Sequence, residues 1–288
     1  IRELRECGHE GTARAYASSL RSMQRYLGKK DFPFIKLSSR IISDYQGKLL
    51  ASGICDNTIG FYLHNIKALF RKGCREMGLE LPCPFRDISI KTEKTLKRSL
   101  DPVVIKTLSA IELEKDSPLS LARDIFMFSF YTRGMSFVDI ALLKKRHVFP
   151  GEICYRRHKT DQLMRVGINK EISRILERYK NVPGEYIFPL FPAERDPYAG
   201  YRSAYHRIRY SLGKISRVIG LEFPLRLHAA RHSWATIAKV NGASVHVIGE
   251  CLGHTSEKTT RIYLKELDHS ALDAVNNQVA DFILAVDD

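Results

Sequence analysis

Apolar residues recur at helical spacing through the first third of the chain. Tyr16, Leu20, Met23 and Leu27 lie three or four positions apart, with Thr12 placed to cap the helix and Gly28 to end it. Ile42, Tyr45 and Leu49 mark a second helix that Ser38 or Ser39 caps. A third begins near Asp56 and carries Ile59, Leu63, Ile66, Phe70 and Met77 on one face, with Lys67, Arg71, Lys72 and Arg75 on the other. The pattern predicts a small helical bundle over residues 1–90 with one basic side. Taken alone, that side is equally an ordinary solvated face.

The periodicity then breaks. The stretch LPCPFRDIS holds two prolines, and IKTEKTLKRS is charged without long periodicity. Residues 91–99 are therefore expected to be a basic linker bearing Lys91, Lys94, Lys97 and Arg98. A larger α-rich domain is expected over 100–288. SLARDIFMFSFYT is almost continuously apolar and suits a buried helix. In ICYRRHKTDQLMRVGI, Ile153 and Tyr155 alternate, then Met164, Val166 and Ile168, around a polar turn. That is a hairpin with Lys159 near its tip. Helices are expected again over 171–179, 201–219 and 227–240, then a short one ending at Gly253. The fold class is mainly α with a small β-hairpin, in the α+β sense. A last apolar stripe of Leu272, Val275, Val279, Phe282 and Ile283 predicts a C-terminal interaction helix, docking either in cis or on a neighbouring copy.

Charge adds a partner class. Lysine and arginine number 46 against 32 acidic residues, a formal charge of +14. Nucleic acid is the simplest polyanionic partner, with anionic lipid and acidic protein as alternatives. The basic residues are spread along the chain, which disfavours a single basic tail. The chain has no run of about 18 apolar residues and no apolar stretch of secretory type, so no membrane association is expected. It opens on Ile1 rather than Met, which leaves room for upstream residues. The six cysteines show no CxxC spacing and are expected to be reduced cytosolic thiols, mostly in the core.

Two stretches concentrate the candidate chemistry: RLHAARHSWA over 226–235 and CLGHTSEKTTRIYL over 251–264. On a helix starting near Leu227, His228 and Arg231 are three apart and share a face near its N-terminus. His254 follows Gly253 just past a helix end. Tyr263 lies nine residues further on, on a helix that Ser256 caps. Phosphodiester chemistry needs donors around two non-bridging oxygens, a nucleophile and an acid for the leaving oxygen. Arginine and histidine supply the donors, a tyrosine the nucleophile, and a lysine on a mobile hairpin the acid. The bland readings are a core Tyr263 and a solvated Lys159. A zinc site from His228, His232, Cys251 and His254 is a third reading.

The order HAAR, then LGH, then a tyrosine, after an upstream hairpin lysine, resembles the tyrosine recombinase (phage integrase) family. The resemblance covers nearly the whole chain. It implies that His228 and Arg231 match H-x-x-R, that His254 matches the L-G-H histidine, that Tyr263 is the nucleophile and that Lys159 is the hairpin lysine. It also implies an N-terminal core DNA-binding domain, with both domains clamping a duplex. The expected activity is site-specific recombination (integration, excision or inversion) through a 3′-phosphotyrosyl intermediate, with no cofactor and no metal. Alternatives are a type IB topoisomerase-like nicking and closing activity, or a DNA-binding protein whose catalysis has lapsed. Expected partners are double-stranded DNA and further copies in a DNA-bound tetramer, with accessory DNA-bending proteins beside them, in the cytoplasm at a bacterial nucleoid. One departure stands out. The family writes Gly–apolar–Arg with an acid three further on, whereas YTRGMSFVDIALL places Ser136 in the arginine position. Arg133, just upstream, is the candidate to supply the missing guanidinium.

Overall fold

A computed structural model describes residues 1–288 apart from 30, 92, 94–98, 192–196, 255, 257–258, 262–263, 265–276, 278 and 281–288. The chain forms two compact units, Ile1–Leu96 and Lys97–Asp288.

The first unit is built from α1 (Arg2–Glu6), α2 (Glu10–Leu27), α3 (Ser39–Ala51) and α4 (Asp56–Glu76). Ser38 caps α3, its hydroxyl accepting from the Ile41 amide, and Gly28 ends α2 in the left-handed conformation at φ 65°. Met23, Ile42, Tyr45, Ile59, Leu63, Ile66 and Phe70 form the core with Phe85. The buried Tyr45 hydroxyl donates to Ser22 Oγ at 2.7 Å. Two expectations are corrected. Helix α2 starts at Glu10 with His9 at its N-cap, not at Thr12, because the chain enters directly from α1 through Gly8. Met77 is 61% exposed, because α4 ends at Glu76 and Met77 lies past its last turn.

The basic face of α4 is only partly available. Lys67, Arg71 and Arg75 lie four apart, but Lys72 is engaged by Glu3 at 3.0 Å and Glu76 at 3.3 Å. Ser89 and Glu93 are tied to the bundle. Gln46 Nε2 donates to Ser89 O, and the Asn57 side chain bonds Glu93 O at 2.9 Å and Glu93 N at 3.1 Å. Exposed Lys91 thus rides on backbone held against the bundle; Lys94, Lys97 and Arg98 lie outside the described residues.

The second unit is organised around α6 (Pro118–Tyr131), whose Ala122, Ile125, Phe126, Met127 and Phe128 are all buried. Against it pack α5 (Pro102–Ala110), α7 (Phe137–Ala141), α8 (Lys170–Arg178), α9 (Pro197–Val218) and α10 (Leu227–Val240). Helix α11 (Val245–Leu252) packs on α10. The sheet is antiparallel in the order β1 (Val148–Phe149), β2 (Glu152–Arg156), β3 (Leu163–Gly167). Ile153 faces Val166 and Tyr155 faces Met164, and all four are buried, so the expected alternation places one sheet face on the core. The two-residue β1 has no alternation to announce it. The cysteines also need correction: Cys7 and Cys55 are exposed and the other four only half-buried. Of the C-terminal stripe only Val279 is described, and it is 58% exposed; Leu272, Val275, Phe282 and Ile283 lie outside the described residues.

Candidate active site

Helix α10 buries Leu227, Ala229, Ala230, Ser233 and Ala235, and carries Arg231 inward with them at 6% exposure. A buried guanidinium demands partners. Arg231 Nη1 donates to Gly134 O at 2.9 Å, while Nη2 reaches Leu252 O and approaches His254 Nε2 at 3.1 Å. Gly134 is required here twice over. Its φ is 74°, and a Cβ on it would lie 2.5 Å from Arg231 Cγ and 2.8 Å from Arg231 Cα. The H-x-x-R arginine and the L-G-H histidine therefore meet, beside the glycine of the departing motif.

His254 is set by the left-handed Gly253 that ends α11 (φ 63°). Its Nδ1 lies 2.9 Å from Oγ1 of the fully buried Thr260. Arginine only donates, so Nε2 must accept from Arg231, and the ring proton sits on Nδ1 facing Thr260. Burial lowers the His254 pKa to about 4, with the charges of Arg231, Arg157 and Lys159 acting in the same direction. The imidazole is thus neutral and locked in one tautomer. Thr260→Val removes the acceptor and keeps the shape. It should cost about 1–3 kcal/mol in denaturant unfolding, the scale for a stranded buried donor, and release the Nδ1–H tautomer in 15N NMR. An unchanged tautomer would show that Thr260 does not hold the ring.

The hairpin docks on the same place. Asp139, 5% exposed, accepts from Ser136 Oγ at 2.6 Å and from the His158 amide at 2.8 Å. Ser136, in the arginine position, therefore spends its hydroxyl proton on the acid three residues later. Exposed Lys159 follows His158 at the turn. Arg157, which the sequence reading passed over, donates through Nη1 to Gly253 O. Arg133 sits at the end of α6 and reaches Arg165 O on β3, a long contact of 3.4 Å. Neither Arg133 nor Arg157 forms an ion pair among the described residues, so Arg133 is not spent on Asp139. Buried Tyr155 lies among them. Burial first, then the Asp139 carboxylate, push its hydroxyl well above the ordinary tyrosine range, against the charges of Arg157, Arg231 and Arg133.

His228 is exposed, in an edge-to-face contact with His232 at 4.5 Å. His228 shares the N-terminal end of α10 with Arg231. Tyr263 lies outside the described residues. Among the described residues no group of three His, Cys, Asp or Glu could hold a metal, so His228, His232, Cys251 and His254 are not brought together as ligands. A groove of about 270 Å³ along α9 is lined by His206, Arg209, Tyr210, Lys214, Arg217 and Arg226, with no carboxylate among its described lining. Arg226 is the N-cap residue of α10, which joins the groove to the end of the helix bearing His228.

These side chains gather on a helical unit with a small sheet, and known integrases share the fold. A Tn1549 transposon integrase in complex with a circular intermediate DNA aligns with TM-score 0.66 and 16% identity, over 93% of this chain and 99% of that one. A lambda integrase tetramer bound to a Holliday junction aligns with TM-score 0.60 and 17% identity, over 86% and 70%. Tyrosine recombinase XerC of Shewanella oneidensis is 26% identical over 226 residues, 75% of this chain and 70% of that protein. The phage integrase family matches residues 99–269, and the phage integrase SAM-like domain matches 1–85. The chain belongs to the phage integrase family, and is a DNA strand-transferring enzyme of site-specific recombination.

Proposed function

We propose that the chain recombines double-stranded DNA through a covalent protein–DNA intermediate, with Tyr263 as nucleophile. Tyr263 passes its proton to solvent water as its oxygen bonds to the scissile phosphorus, the P–O5′ bond breaks, and Lys159 gives a proton to the leaving 5′ oxygen. The phosphotyrosyl bond conserves the free energy of the broken one, so the released hydroxyl of a partner duplex reverses the step without ATP. Arg231 and His254, with His228 and Arg133, take the charge of the pentavalent phosphate. The observation that carries this reading is the Arg231–His254 contact at 3.1 Å. An arriving phosphate competes for Arg231 and raises the His254 pKa, so that Nε2 gains a proton and turns from acceptor to donor.

The first unit, through Lys67, Arg71 and Arg75, and the α9 groove supply cations to the DNA backbone. Lys91, Lys94 and Lys97 extend that set, while Lys72 contributes only by exchanging Glu3 and Glu76 for phosphate. The lambda integrase tetramer on a Holliday junction supports assembly of four copies on DNA; docking of the segment after Ser270 in trans, and action in the cytoplasm at the nucleoid, are our reading from the apolar stripe of that segment and the DNA substrate. Family membership favours strand exchange between duplexes over type IB-like nicking and closing. The test is covalent capture from a pool of nicked duplexes with a randomised core. The expected result is a protein–DNA band that survives denaturant and releases a 5′-hydroxyl strand. No band would leave a DNA-binding protein whose catalysis has lapsed.

A further inference from the structure

Arg231 and Arg157 grip consecutive carbonyls at the end of α11. Arg231 holds Leu252 O and Arg157 holds Gly253 O, and His254 is the next residue. The Arg157 side chain lies along Gly253, its Cδ 3.4 Å from where a Cβ would stand. Two guanidinium groups thus stand on one peptide turn, one from α10 and one from the hairpin. Helix C-terminal carbonyls carry only a partial negative charge. The buried carboxylate at hand, Asp139, is committed to Ser136 and to the His158 amide. Arg157 has no acid partner among the described residues. Neighbouring His254 is held neutral chiefly by burial, and the charges of Arg231 and Arg157 act in the same direction. Such a pair is stabilised by an anion that both can share, and a guanidinium fork matches phosphate oxygens.

We infer that Arg157 is a further phosphate-binding catalytic residue, standing beside Arg231 and contacting the scissile phosphate from the hairpin. The inference rests on the proposed recombinase chemistry. It also gives the substitution at Ser136 a physical setting. Ser136 and Asp139 fix the backbone of His158, and the residue immediately before His158 is the arginine that faces the site. Binding of phosphate by Arg157 couples the hairpin to substrate, so that Lys159, two residues on, is drawn to the leaving oxygen only when DNA is in place.

The competing role is a mechanical staple between hairpin and α11. Two variants and two substrates separate them. Arg157→Gln keeps an N–H donor for Gly253 O and removes the charge; Arg157→Lys keeps the charge. Both are assayed in the full chain on the duplex that wild type selects by covalent capture, with either a normal scissile phosphate or a methylphosphonate, which lacks the negative charge. On phosphate, Arg157→Gln should lose about 100-fold in single-turnover cleavage, the scale of one lost transition-state donor, and Arg157→Lys clearly less. On methylphosphonate, Arg157→Gln should approach parity with wild type, because there is no charge left to balance. An equal loss on both substrates, or no loss on phosphate, would overturn the inference and leave a staple. Should Arg157→Gln not fold, an Arg157→Lys rate as low as that of an unfolded control would also count against it. Wild type capturing no duplex at all would remove the recombinase reading, and this inference with it.

Discussion

Tyr263→Phe should abolish the covalent protein–DNA complex while leaving DNA binding in place. Phenylalanine keeps the ring and removes the only atom that bonds to phosphorus, and no other tyrosine stands at the motif distance of nine residues from His254. Buried Tyr155 is the rival within the described site. Its hydroxyl is driven well above the ordinary tyrosine range, chiefly by burial. That makes it a poor source of phenolate, and it lies inside the core cluster of the unit. Binding by the variant should keep its salt response. With a charge of +14, several phosphates neutralised correspond to a log–log slope of magnitude about 5 or more. Gel-shift titrations across salt concentrations, beside denaturing gels for the adduct, read both halves. A surviving adduct in Tyr263→Phe would sink the assignment; loss of binding would mean that the tyrosine is structural.

What could be read in advance follows the range of the interactions. Helix α10 has the expected limits of 227 and 240 because its apolar stripe and its stop at Asn241–Gly242 are local. The hairpin register was legible from the alternation of Ile153, Tyr155, Met164 and Val166, since a one-residue slip would expose all four. The family motif located Arg231 and His254 without showing how they meet. That meeting depends on Gly134, 97 residues from Arg231 in sequence, and on Leu252 O. Nothing local in YTRGMSFVDIALL marks why Gly134 must be glycine; the requirement is the closeness of the Arg231 side chain. Arg157 was hidden in the run RRHK, where three cations and a histidine look like a solvated turn. Only the docking of that turn on Gly253 singles out one of them. Thr260 was invisible for the same reason: a buried threonine and a tautomer-setting threonine have the same local pattern.

Arg133→Gly should make the protein more stable and much less active. Arg133 occupies the first position beyond the α6 cap in the left-handed conformation, at φ 60°. The hydrogen bonds of the helix end confirm the geometry: the Gly134 amide reaches Ser129 O at 2.7 Å and the Arg133 amide reaches Phe130 O at 3.2 Å. This is the position where glycine is the usual residue, because a Cβ there meets the following carbonyl. An arginine tolerates it at a cost of roughly 1 kcal/mol. Its side chain recovers little of that, with one long contact at 3.4 Å to Arg165 O and no carboxylate among the described residues. A strained residue that gains so little locally is best explained by what its side chain does when substrate is bound. Glycine should therefore raise the unfolding free energy by up to about 1 kcal/mol, less the entropy that glycine adds to the unfolded chain. Single-turnover cleavage should fall about 100-fold, as for one lost oxyanion donor, with DNA affinity nearly unchanged. Ser136→Ala should behave the other way round. It strips Asp139 of a 2.6 Å donor and should cost about 1 kcal/mol in stability, with a smaller loss of rate. Denaturant unfolding and cleavage of the two variants, measured side by side, decide the matter. An Arg133→Gly protein that is more stable and still cleaves at the wild-type rate would show that the strained arginine is not part of the phosphate clamp. One that is less stable would show that its side chain holds the fold.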